Sequence, residues 1–256
     1  MAGVHLDFVL AATVGAVFFA SAFVAGIAGF AFAAIASPVF WLLPPTHGVA
    51  LIMAISVCNQ LTMVTALRED MRWWARDGDC AAYYLVGGIL GAPIGLAILT
   101  QARPSLFAGL LGAFLVLYGL GNLAGLTSLR LRNYGTFGAV GVGAVGGMIG
   151  GFSGFPGSAP VIYLSMRNVG KQIIRGVSQP YILVMQCVSL ALIVWRGQSR
   201  FDTDDALLFL TCLPLALAGT ALGMVVYRGA SNLNFRRAVF VLLTISGAGL
   251  LGKALI

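Results

Sequence analysis

Apolar residues fill six runs of this chain at close to the length of one membrane crossing: 48–67, 80–100, 104–126, 170–195, 205–227 and 235–255. A helix needs about 20 such residues to span the hydrocarbon core, so each run predicts one tilted transmembrane helix. Two further runs, 8–43 and 134–164, do not fit that length. At the α-helical rise each would make a rod of roughly 45–55 Å against a core of about 30 Å. Both are interrupted midway, at Gly26 to Phe30 and at Gly150 to Gly157, where glycine weakens a helix and Pro156 lacks a backbone donor. The pattern predicts a broken helical hairpin in each, either re-entrant or made of two short crossings.

The interrupted runs share a phrase. Ile27-Ala28-Gly29-Phe30, closed by Pro38-Val39, returns 122 residues later as Ile149-Gly150-Gly151-Phe152, closed by Pro160-Val161. The same interval pairs Ser56 with Ser178, and an interval of 128 then pairs Gly91 with Gly219 and Gly95 with Gly223. The chain reads as an internal duplication, 1–128 and 129–256, each half a broken helical hairpin followed by three transmembrane helices. Five membrane elements per half is an odd number, which turns the second half over relative to the first. The expected fold class is therefore an all-α integral membrane protein of two inverted repeats, the organisation of a secondary transporter.

Composition agrees. With 59% hydrophobic and 9% charged residues and a mean hydropathy of +0.96, there is too little polar surface to cover a soluble globule. A net charge of +7 does not point to nucleic acid, because the 15 Lys and Arg lie in short clusters between apolar runs. If the long runs were single spans, the basic residues would divide 8 against 7. With two hairpins, only Arg103, Arg196, Arg200 and Lys253 share a side with the termini and the other eleven lie opposite. The positive-inside bias selects the second arrangement: a multi-pass inner-membrane protein with both termini periplasmic. The stretch Met1 to Asp7 has no basic residue, so Ala20-Ser21-Ala22 only imitates a signal cleavage site and the first helix is expected to be retained. Cys58, Cys80, Cys187 and Cys212 form no CxxC pair and read as packing residues.

The two interruptions come first as candidate chemistry. A helix broken in the bilayer leaves unpaired N–H groups at the start of its second half, and these attract anions. Tip one offers Gly29 and Phe30; tip two offers Gly151, Ser153, Gly154, Gly157 and Ser158, adding hydroxyls to permissive backbone. The plain alternative is that these glycines only let helices approach. After tip two, Lys171, Gln172, Arg175, Ser178, Gln179 and Gln186 put cation, hydroxyl and amide on one helix stripe. Arg175 is expected either to meet an anion or to snorkel to water. The matching helix of the first half carries Ser56, Asn59 and Gln60 but has Met53 where Arg175 stands.

Absences count too. All acids fall in predicted loops or the terminus, Asp204 and Asp205 among them, so no intramembrane carboxylate relay is expected. His47 reads as a solvated residue at the outer boundary, without a paired acid. No nucleophile, metal-ligand or phosphate-loop pattern stands out. Neither cofactor, resident metal nor enzymatic activity is expected. The partners are the lipid bilayer and a small anionic substrate, with a homodimer left open.

At the tips the sequence resembles the bacterial sulfite exporter family TauE/SafE, whose halves each open with a Gly-rich broken segment closing on a proline. Gly26 to Pro38 and Gly146-Gly147-Met148-Ile149-Gly150-Gly151 to Pro160 read so here, and Ser56 and Ser178 match the small polar turn on the following helix. The resemblance implies export of sulfite, an organosulfonate or a related organic anion. Phe30-Ala31-Phe32 and Phe155-Pro156 depart from the family's glycine runs, which leaves room for a bulkier or more apolar anion. An anion channel, an organic-acid carrier, and a membrane assembly factor or enzyme without transport stay open as alternatives.

Overall fold

The computed structural model describes residues 8–29, 32–70, 72, 80–101, 103–125, 134–167, 169–195 and 203–229, and from the last run 240–241, 244–245, 247–249, 251–252 and 254. Among these there are helices and turns and no strand. The helices are α1 (Phe8–Ala28), α2 (Phe32–Ile35), α3 (Pro45–Ala66), α4 (Ala81–Gln101), α5 (Pro104–Leu123), α6 (Gly135–Ser153), α7 (Ser158–Met166), α8 (Lys171–Trp195) and α9 (Thr203–Gly229), with single 3-10 turns at Ser37–Trp41 and Arg68–Asp70. Among the described residues six helices, α1, α3, α4, α6, α8 and α9, are long and apolar enough to cross a membrane.

Both long runs break where the glycines fall. α1 stops at Gly29 and α6 at Gly154, each with left-handed backbone (φ 81° and 73°), a conformation in which a Cβ is unfavourable. Each glycine N–H bonds the carbonyl four residues back, Gly29 to Ala25 at 2.7 Å and Gly154 to Gly150 at 2.8 Å, which is a common way to end a helix. The chain then doubles back. The Phe32 ring lies 5.7 Å from that of Phe18 on α1, and the Tyr134 N–H, just before α6, donates to the Tyr163 hydroxyl on α7 at 3.3 Å.

Two glycine seams dominate the packing. α6 lies on α4 and α1 on α9. A Cβ at Gly87, Gly91 or Gly95 would strike the carbonyls of Val140, Ala144 and Met148 in turn; one at Gly219 or Gly223 would strike those of Phe19 and Phe23. Numbers rise together along both seams, so each pair is parallel and the backbones nearly touch, as small residues allow in membranes. By contrast α3 and α8 run antiparallel: Ser56 meets Gln186, while Arg72, beyond the end of α3, meets Gly176 near the start of α8. α5 likewise opposes the last run, with Gly119 against Phe240 and Gly112 against Gly247.

The two tips sit alike against their seams. Gly26 faces Thr220 and Gly223 on α9, and Gly151 faces Ala92 and Gly95 on α4. Gly26 and Gly151 thus have similar seam contacts, and Gly29 and Gly154 similar backbone; each pair lies 125 residues apart.

One joint pairs backbone with backbone. Pro180 sits inside α8 and has no N–H, so the Gly176 carbonyl lacks its helical donor. The Arg72 N–H takes that place at 2.8 Å, while the Arg72 carbonyl accepts from Ala81 at 2.8 Å. The link between α3 and α4 is thereby held on α8.

Candidate functional site

α3 and α8 cross between the two breaks, and their polar faces meet there. Ser56, Asn59 and Gln60 follow helical spacing and share one face of α3. Gln186 Nε2 of α8 donates to Ser56 Oγ at 2.6 Å. A small cavity opens beside this bond, lined by these four side chains, by Ala25 of α1, by Phe32 and Ala33 of α2, and by Phe155, Pro156 and Gly157 at tip two. About 10 Å³ of it admits the centre of a water-sized molecule, room for roughly one water.

The lining is polar in an unusual way. Asn59 is 0% exposed, yet neither atom of its side-chain amide has a hydrogen-bond partner among the described residues; the same holds for the side-chain oxygens of Gln60 and Gln186. Leaving such groups dry and unpaired costs about 1–3 kcal/mol each. Amides offer donors and acceptors together. The cavity also receives the N-terminal end of α7, since Gly157 immediately precedes it. That end carries free N–H groups and the positive pole of a nine-residue helix.

Tip one is held next door. The Arg175 guanidinium donates to the Ile27 carbonyl at 2.6 Å, and Gln179 Nε2 donates to the Gly29 carbonyl. Both acceptors belong to the end of α1, where helical carbonyls run out of partners and the dipole is negative. Arg175 thus caps a helix C-terminus, a role outside the two expected for it. At the other break, a Cβ on Gly154 would lie 3.4 Å from Met53 Cγ. Tip one is gripped by a cation and an amide; tip two rests on a thioether and the aliphatic Ala33 and Ile52.

The remaining expected residues are placed as follows. Ser153 Oγ donates to the Ile149 carbonyl at 2.7 Å and Ser158 Oγ to that of Phe155 at 3.2 Å, so both hydroxyl protons are used inside their own segments. Gly151 lies in the seam with α4, and Ser178 is buried on α8. Phe30 lies outside the described residues. The lining of Ala25, Phe32, Ala33, Met63 and Ile182 carried no sequence signal, because apolar residues look alike until the fold selects among them.

The reading of acids and histidine needs correcting. Asp205 lies in the first turn of α9, is 2% exposed and accepts from His47 Nδ1 at 2.8 Å. His47 is therefore paired and Asp205 is no loop residue. Thr203 before Asp204 and Asp205 was the available signal, since acids favour the first turn of a helix.

A family model described as Sulfite exporter TauE/SafE matches residues 13–250. No curated protein and no solved structure gives a match. The matched stretch takes in both breaks, α3, α8 and the cavity between them, nearly the whole of the 256 residues. Its sequence match and its membrane-spanning helices lead to one conclusion: this multi-pass membrane protein belongs to the sulfite exporter TauE/SafE family.

Proposed function

We propose that the chain is a secondary carrier that moves a small anion, sulfite or an organosulfonate, out across the inner membrane by alternating access around the two breaks. The observation that carries this reading is the cavity, where Asn59, Gln60 and Gln186 hold buried amide atoms without partners. An anion entering there accepts from the Asn59 amide, the Ser56 hydroxyl and the N–H groups opening α7, while the Gln60 and Gln186 amides adjust to its remaining oxygens. Arg175 stands one helix away and raises the local potential without being the first ligand. Ser153, Ser158, Ser178 and Gln179 keep the walls in shape.

The antiparallel course of α3 against α8, and of α5 against the last run, supports two inverted halves, 1–128 and 129–256. In this arrangement both termini lie in the periplasm. Purified protein in proteoliposomes, offered sulfite, sulfate, short sulfonates and carboxylates, tests the function. Saturable, countertransport-competent movement of sulfite or a sulfonate is expected; movement of none of them would sink the reading.

A further inference from the structure

His47 and Asp205 tie together the first turns of α3 and α9. The histidine side chain is 23% exposed and the aspartate 3%, so water reaches the imidazole and not the carboxylate. Two helix dipoles act on the pair. His47 and Asp205 each lie in the first turn of their helix, at its positive end. The Asp205 carboxylate stands within hydrogen-bond reach of the ring, 2.8 Å from Nδ1. Among the described residues, few other charges lie on the neighbouring elements. α1, α2, α4, the 37–43 segment and the rest of α3 contain no Asp, Glu, Lys or Arg; α8 carries Lys171 and Arg175 at its start, by the far end of α3; α9 adds the half-buried Asp204 here and Arg228 at its far end.

We propose that His47 and Asp205 form a proton-binding site that couples proton movement to the carrier cycle. The proton comes from water and forms an N–H bond at Nε2, while Nδ1–H continues to donate to Asp205. When the first turns part, Nε2 returns the proton to water and Asp205 stays a carboxylate. Because an imidazolium meets the Asp205 carboxylate only while the first turns are together, a bound proton shifts the population to the closed form, and closure couples back to the proton by the same factor. The lever is short. α3 carries Asn59 and Gln60, and α9 carries α1 through their glycine seam, so parting α3 from α9 draws the α3 lining away from Ala25 of α1. In the topology proposed above, this is the periplasmic end.

The inference rests on the carrier reading, and its test separates the two. Cysteines at the exposed positions Pro44 and Thr203, in a background with the four native cysteines replaced, carry spin labels whose separation is measured in nanodiscs without substrate from about pH 5 to about pH 8. Wild-type protein is expected to gain a longer-distance population as pH rises. His47→Gln, which keeps a donor but does not titrate, and Asp205→Asn should each give one distribution throughout. A wild-type distribution that ignores pH overturns the proposal. In proteoliposomes, a pH step of one unit should drive accumulation of sulfite about tenfold per coupled proton, lost in His47→Gln while exchange at equal pH persists. Sulfite movement without that accumulation removes the proton coupling and spares the carrier. A pH-dependent label shift with no anion moved overturns the carrier reading and keeps the proton site.

Discussion

Arg175 closes the open end of α1: its Nη2 donates at 2.6 Å to the carbonyl of Ile27, 148 residues earlier in the chain. A cation there satisfies a carbonyl with no helical donor and meets the negative pole of the dipole. Arg175→Ala is therefore expected to loosen tip one by about 1–3 kcal/mol and to cut the maximal transport rate more than the apparent affinity. Arg175→Lys should restore part of the rate. If KM rises tenfold while the rate holds, Arg175 touches the anion itself.

Asn59 distinguishes a binding cavity from a packing flaw. With both amide atoms unpartnered and buried, Asn59→Leu should raise thermal stability, by on the order of 1 kcal/mol, while abolishing transport. A large loss of stability would show that Asn59 is structural.

Gly29 and Gly154 share their backbone conformation but not their surroundings. Alanine at either carries the left-handed strain of about 1–2 kcal/mol. At Gly29 the new Cβ would also lie 2.9 Å from Arg175 Nε and 3.1 Å from Gln179 Nε2, whereas at Gly154 the nearest atom is at 3.4 Å. Gly29→Ala is expected to melt lower in detergent than Gly154→Ala, and equal melting would mean that the grip on tip one yields.

The seams should fail outright. Gly95→Leu drives a side chain into the Met148 carbonyl, and Gly223→Leu into that of Phe23; each should cost about 3 kcal/mol or more and remove the monodisperse peak on size-exclusion chromatography. Gly141→Leu, on the same helix as Met148 but with nothing within 4 Å of a new Cβ, should purify like the wild type.

Topology is checked with reporters. A fusion after Ile256 should be active for a periplasm-dependent reporter and silent for a cytoplasm-dependent one. The reverse result would dismiss the arrangement with both termini periplasmic.

Much of this architecture is legible in the amino-acid sequence because membrane thickness turns run length into helix count, and because glycine marks where helices stop. The breaks at Gly29 and Gly154 fall inside the two interruptions read from the chain. The similar seating of Gly26 and Gly151 is not legible there, since it depends on which glycine faces Gly95 or Gly223 across a seam. Arg175 offers only local alternatives, water or anion, while its partner lies in a distant segment. The pairing of His47 with Asp205 escapes the sequence for the same reason: each looks solvated alone, and only helix packing brings them together.

Arg72 and Pro180 carry a consequence for how this protein tolerates change. The contact that holds the α3–α4 link on α8 runs from a backbone N–H to a backbone carbonyl, and that carbonyl is available because residue 180 supplies no hydrogen. Any residue other than proline at position 72 still supplies that backbone N–H. Position 180 has no such freedom. Any residue but proline there restores a competing donor within α8, and the anchorage of the link is weakened from the helix that receives it.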